Sequence, residues 1–182
     1  MFVWLGIDVN EQLLELRKRG SILEDKIGCV NSAYTLPMHI SLKISFEVTP
    51  SVFPEILSVI EDIYTSVSPF GVEPRGIECE EGIVWLRMNR SEALEDLSMR
   101  LNGALLDRFG IPLHEYDTDF KFHSTLYIDS DLDRVEQFFK EISAAPVPDV
   151  LMVKRLVVGT SPEGELGTYS VYRAYDLTVS QL

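Results

Sequence analysis

The sequence predicts an α+β fold of two similar lobes, with two antiparallel sheets lining a central cleft and the helices outside. Three observations carry this. Apolar periods of strand and helix type follow one another in the order β-α-β-α-β, and the order then repeats. Corresponding elements lie about 80 to 84 residues apart in a chain of 182. Two strands in equivalent places carry one pattern, a histidine, any residue, a hydroxyl residue and a leucine: His39-Ile40-Ser41-Leu42 and His123-Ser124-Thr125-Leu126. A chain of this length buries a sizeable core. The expected organisation is a single bilobal domain over residues 1–182, with repeat halves 1–79 and 80–182.

In the first half, residues 2–9 form an apolar run ending at Asn10, a strand followed by a helix-capping residue. Leu13, Leu14 and Leu16 then mark a short helix over 11–19, stopped at Gly20, and 21–35 reads as an irregular connection. Residues 38–48 alternate Ile40, Leu42, Ile44 and Phe46 with His39, Ser41, Lys43 and Ser45, the period of a strand. Over 50–67, Phe53, Ile56, Leu57, Ile60, Ile63, Tyr64 and Val67 fall on one helical stripe, and 70–79 reads as a further strand. The second half opens at the turn 80–82 with a strand over 83–88. Ser91 caps a helix with Leu94, Leu97, Leu101, Leu105 and Phe109 inward, ended by Gly110 and Pro112. Residues 120–128 form the second histidine strand. A helix over 130–144 turns Leu132, Val135, Phe138, Phe139 and Ile142 inward, and 150–159 and 168–178 are closing strands around the turn SPEGELG.

Composition narrows the function classes. An apolar fraction of 46% and a charged fraction of 25% are those of an ordinary globular protein, and no apolar run is long enough to span a membrane. The start MFVWLGIDVN has no basic residues before its apolar part, so it reads as a strand rather than a signal peptide. Cys29 and Cys79 show no metal spacing and are expected as reduced thiols, with a cytoplasmic location and a monomer as the default. Sixteen basic against 29 acidic residues give a net charge of −13, which disfavours attraction to a long polyanion. The run RKR at residues 17–19 is the one basic cluster, so no long nucleic-acid track is expected, while a small phosphate-bearing ligand fits a local pocket.

On a strand, residues i and i+2 share a face. His39 therefore stands with Ser41 and His123 with Thr125, roughly 6 to 7 Å apart along each backbone. Two such pairs facing one cleft suit in-line displacement at phosphorus. One neutral imidazole takes a proton from water or a ribose hydroxyl, one protonated imidazole gives a proton to the leaving oxygen, and the hydroxyls hold the non-bridging oxygens. This chemistry requires no metal or other cofactor. A single histidine on a strand is more often structural than catalytic; two in equivalent places of a repeat are not so easily set aside.

With these residues in view, the chain resembles the two-histidine (2H) phosphoesterase superfamily, which includes 2′-5′ RNA ligase-like proteins and cyclic phosphodiesterases. The likeness runs through FVWLGID, LPMHISLKI, FKFHSTLYI and the closing stretch VKRLVVGTSPEGELGTYSVYRAYDL, nearly the whole chain. It implies a bilobal fold and phosphodiester chemistry, often on 2′,3′-cyclic phosphate ends of RNA or on cyclic nucleotides. By that likeness His39 and His123 are the catalytic pair, and Ser41 and Thr125 bind phosphate, Ser41 standing where threonine is commoner. The expected partner is a small nucleotide or short RNA end. A non-catalytic nucleotide-binding module and an RNA-joining 2′-5′ ligase are the alternatives; the ligase would need a basic RNA track.

Other side chains are weighed against these. Lys43 and Lys121 fall on the histidine faces and either attract phosphate or are simply solvated. Tyr127 falls there too, to stack on a base or to pack. His114 reads as a loop histidine, and the three histidine spacings fit no compact metal motif.

Overall fold

The computed structural model describes residues 1–29 and 36–178. A four-stranded sheet has the order β2 (His39–Glu47), β1 (Phe2–Asp8), β8 (Arg155–Ser161), β9 (Ser170–Asp176). A three-stranded sheet has the order β4 (Pro74–Glu80), β5 (Ile83–Met88), β6 (His123–Ile128). β3 (Phe70–Val72) and β7 (Leu151–Val153) pair as a short ribbon. All these pairings are antiparallel. The helices are α1 (Leu14–Ile27), α2 (Phe53–Thr65), α3 (Glu92–Phe109) and α4 (Leu132–Ile142), with α1 against α4 and α2 against α3.

The α+β class and the antiparallel sheets are as the sequence predicts, and three boundaries differ. α1 runs through Gly20, which lies buried on the helix face between Leu16 and Leu23, and stops only at Gly28, whose φ of 76° is the left-handed cap. A mid-helix glycine weakens a helix by about 0.5–1 kcal/mol and does not end it when its face is packed. Residues 30–35 of the expected connection lie outside the described residues. The strand expected over 70–79 is two strands in different sheets, β3 and β4, and the one over 150–159 divides in the same way into β7 and β8.

Those two divisions decide the architecture. β4, from the first sequence repeat, leaves the β3–β7 ribbon and pairs with β5 of the second, from Pro74 opposite Met88 to Glu80 opposite Ile83. β8, from the second repeat, crosses the other way and pairs with β1, from Phe2 opposite Ser161 to Ile7 opposite Leu156. Each sheet is thus completed by the other repeat, the three-stranded one by β4 and the four-stranded one by β8 and β9. β2 and β6, the histidine strands, then approach one another across the middle. α3 caps cleanly, with Ser91 Oγ accepting from the Leu94 N–H at 3.3 Å and Gly110 closing it at φ 66°, and it seals the core with Leu94, Leu97, Leu101 and Leu105.

Both histidine strands lose their alternation at the same place. In β2, Gly6 faces Ser41 but the preceding Leu5 faces Lys43, so one extra residue is inserted. In β6, Trp85 faces Thr125 and the preceding Val84 faces Tyr127. The residue after each leucine therefore leaves the histidine face. This corrects two expectations. Tyr127 is fully buried, stacked on Phe138 at 4.5 Å, with its hydroxyl 2.7 Å from Asp129 Oδ2 and 3.1 Å from Cys29 Sγ, so it stacks on no base. Lys43 is neither solvated nor free for phosphate: it is 1% exposed, and its ammonium lies 2.8 Å from Asp117 Oδ2, 2.7 Å from Asn102 Oδ1 and 3.3 Å from Pro112 O.

That ammonium is the centre of a satisfied polar cluster joining β2 to the second half. Asp117, in the 3₁₀ turn Glu115–Asp117, also accepts the backbone N–H groups of Ile44 at 3.1 Å and His114 at 2.9 Å. Asn102 on α3 donates to Ser98 O, and Ser98 Oγ donates to Leu42 O at 2.8 Å. A buried ion pair adds little over apolar packing, but breaking one side strands a charge and costs about 3–5 kcal/mol. Asp117→Ala is therefore expected to lower unfolding stability by about that amount in denaturant titration. The double variant Lys43→Met/Asp117→Ala is expected to lose clearly less; an equal loss would mean that Asp117 acts through its backbone bonds alone.

Candidate active site

The two histidines are presented in the same way. His39 Nδ1 lies 2.8 Å from Pro37 O and His123 Nδ1 lies 2.6 Å from Lys121 O, in each case the carbonyl two residues back. A carbonyl only accepts, so each Nδ1 carries the proton and each neutral ring keeps Nε2 as its acceptor. Each ring also lies against the tryptophan of its own sheet. Trp4 meets His39 edge-on at 4.3 Å between centroids, and Trp85 meets His123 at 4.6 Å with a 43° tilt. These indoles remove water from the imidazoles and fix their planes.

Burial is the main electrostatic effect. It lowers the proton affinity of His39 from 6.5 to about 4, against the pull of the Pro37 carbonyl; the nearby His123 lowers it further, and Asp8, opposite His39 in the sheet, opposes. His123 is lowered as well, by burial first and by the Arg87 charge, with the Lys121 carbonyl opposing. Near neutral pH both rings are neutral.

Ser41 and Thr125 come together from the two sheets. With His39 they line one cavity of about 250 Å³, which Trp4, Ile44 and Tyr169 also border. His123 opens onto an adjoining cavity of about 370 Å³ with Trp85, Tyr116 and Lys121, and the two cavities share Ile44 and Ile83. Trp4 Nε1 donates to Ser41 Oγ at 2.9 Å, which leaves the serine proton free to point elsewhere. Lys121 is half-exposed and pairs with Glu80 at 3.1 Å. His114 stays in its loop, where Nδ1 accepts from the Tyr116 N–H. Cys29 and Cys79 are free thiols. Among the described residues no three His, Cys, Asp or Glu side chains gather as a metal site, and no helix is long and apolar enough to cross a membrane.

Sequence reasoning missed the tryptophans and the residue two places beyond the second of them, Arg87. The signal lay in the repeat: Val-Trp-Leu occurs at 3–5 and again at 84–86, and holds both tryptophans of the chain.

Comparison with known proteins agrees with this geometry. The model of the 2′-5′ RNA ligase superfamily matches residues 26–165. No curated protein matches the sequence. Among solved structures, TT0787 of Thermus thermophilus is 19% identical over 100% of both chains, with a TM-score of 0.61. Apo LigT of E. coli is 18% identical over 97% of both chains, with a TM-score of 0.59, and LigT complexed with 3′-AMP is 16% identical over the same shares, at 0.57. At these identities the structural likeness speaks for the fold. The sequence match covers most of the chain and takes in both histidine motifs: the protein belongs to the 2′-5′ RNA ligase superfamily and has the fold of the two-histidine phosphoesterases.

Proposed function

We infer that the protein is a metal-independent phosphodiesterase that opens a cyclic phosphodiester, either a 2′,3′-cyclic nucleotide or the 2′,3′-cyclic phosphate end of a short RNA. His39 and His123 are its acid–base pair, and Ser41 and Thr125 hold the phosphate. The observation that carries this reading is the twofold presentation of imidazoles, each with Nδ1 tied to a carbonyl and Nε2 left as acceptor. Binding alone would need no such pair. A relative complexed with 3′-AMP, a ribose monoester of the kind this reaction releases, supports it.

In the reaction, the neutral imidazole takes a proton from water through Nε2 as the water oxygen bonds to phosphorus. The bond from phosphorus to one ribose oxygen breaks, and the protonated imidazole delivers its proton to that oxygen. Water is consumed and a ribose phosphomonoester is formed. Ser41, whose oxygen already accepts from Trp4, donates its hydroxyl proton to a non-bridging oxygen, and Thr125 does so from the other sheet. RNA joining by the reverse reaction would bring two polyanionic ends to a chain of net charge −13 whose His123 cavity is bordered by Glu80, Glu81 and Asp119, so hydrolysis is favoured.

Two outcomes are expected. A panel of 2′,3′-cyclic nucleotides and cyclic-phosphate-ended short RNA, assayed with chelator present, should include a substrate whose turnover falls by about a hundredfold or more in both His39→Ala and His123→Ala. Turnover abolished by the chelator, or kept by either variant, would defeat the mechanism. The pH profile supplies the second. The competent enzyme holds one proton on the pair, and both groups are lowered in the free protein. kcat/KM should therefore follow a bell with its maximum below 6.5 and its acid limb near 4. A plateau extending above pH 7 would contradict it.

A further inference from the structure

The two lobes are not equivalent around their tryptophans, and the difference leaves donors unused beside His123. In the first sheet, Trp4 lies across two glycines. A Cβ on Gly6 would stand 2.3 Å from the indole, and one on Gly159, opposite Trp4 in the sheet, 2.6 Å from it. That space lets Trp4 Nε1 reach Ser41. The positions 81 residues away along the repeat are Arg87 for Gly6 and Glu78 for Gly159, and Glu78 faces Trp85 in the sheet as Gly159 faces Trp4. Two side chains of opposite charge thus fill the place of two hydrogens.

The fit is incomplete in hydrogen bonds. Arg87 Cζ lies 5.3 Å from the Trp85 ring centroid and its Nε 3.5 Å from Glu78 Oε2, a charge contact without hydrogen-bond geometry. Glu78 is shared with Arg75 at 3.3 Å. Arg87 Nε and Nη1, and Trp85 Nε1, are buried without a hydrogen-bond partner among the described residues. A buried donor left without a partner is costly, more so when charged, and native proteins keep few of them. Here three sit together on the sheet face that holds His123, with Arg87 directly opposite that histidine. The Arg87 side chain is only 13% exposed, so its charge is little screened, and its guanidinium lies against the indole.

We propose that Arg87, backed by the Trp85 indole, is a substrate-contacting residue that takes the non-bridging oxygens of the scissile phosphate beside His123. The proposal rests on the phosphodiester reading above and adds a charged donor that the paired motifs do not contain. A guanidinium matches two phosphate oxygens at once, and charge building there in the transition state strengthens the contact. It also makes the site one-sided: the first lobe offers the phosphate a hydroxyl only, the second a hydroxyl and a cation.

The test compares wild type, Arg87→Met and Arg87→Lys by three readouts: turnover of the best substrate of the panel, binding of inorganic phosphate by calorimetry, and Tm. Arg87→Met should lose about a hundredfold in kcat/KM and tenfold or more in phosphate affinity, with Tm unchanged or raised because buried unmade donors have been removed. Arg87→Lys, which keeps the charge without the fork, should recover part of the phosphate affinity and serves if the methionine variant does not fold. A lowered Tm with phosphate affinity and turnover retained in the folded variant would make Arg87 a structural partner of Glu78 and overturn the proposal, as would a wild type that binds no phosphate at millimolar concentration. Wild-type turnover untouched by Arg87→Met overturns this proposal and leaves the phosphodiesterase reading standing. Arg87-dependent phosphate binding without turnover of any phosphodiester does the reverse.

Discussion

In β2 and in β6 an extra residue enters the ladder just after the histidine and hydroxyl have been presented, and the surroundings of the site follow from it. Up to that point alternate residues face the cleft; beyond it the next side chain turns inward. The insertion ends the histidine–hydroxyl alternation after two residues in each strand. It also sends Lys43 to Asp117 and Asn102, and Tyr127 to Phe138 and Asp129. Had alternation continued, an ammonium and a phenol would have stood in the cleft, and both anchors would be lost. The bulge thus separates the side chains that border the cavities from those that hold the strands in place, within one stretch of five residues.

The shared presentation of the imidazoles sits on supports that are not shared. His39 faces Asp8 across the sheet and an indole spread over glycines; His123 faces Arg87 and an indole hemmed by charge. Pseudo-symmetry places two like groups, but a displacement at phosphorus needs unlike groups, one giving a proton and one taking it. The Asp8 carboxylate raises and the Arg87 guanidinium lowers the proton affinity of the ring it faces, so two like rings sit in unlike fields, although burial is the larger effect at both.

Much of this was legible in the chain, because strand and helix periods are local and the motif repeats. His39, Ser41, His123 and Thr125 could be placed on faces by counting in twos. What could not be counted was anything decided by a partner strand. The bulges depend on register with β1 and β5, so the sides taken by Lys43 and Tyr127 could not be read from their own strands. Gly20 looked like a stop because its buried neighbours Leu16 and Leu23 are revealed only when α1 packs on α4. The division of 70–79 between two sheets is a matter of topology, and no local period records it. Trp4 and Trp85 were visible as a repeated triplet, but their contacts with the imidazoles arise between strands.

The exchange of β4 and β8 also has a consequence for how the chain comes to be folded. β1 lies between β2, which follows it closely, and β8, which begins about 150 residues later. During synthesis one edge of β1 must therefore remain open until β8 has emerged, while β4 is joined to β5 by a tight turn. Contacts of such long sequence separation close late and slowly. The same threading that brings the two histidine strands together leaves β1 half-paired until β8 joins it, so the cleft between β2 and β6 rests on a contact of long sequence separation.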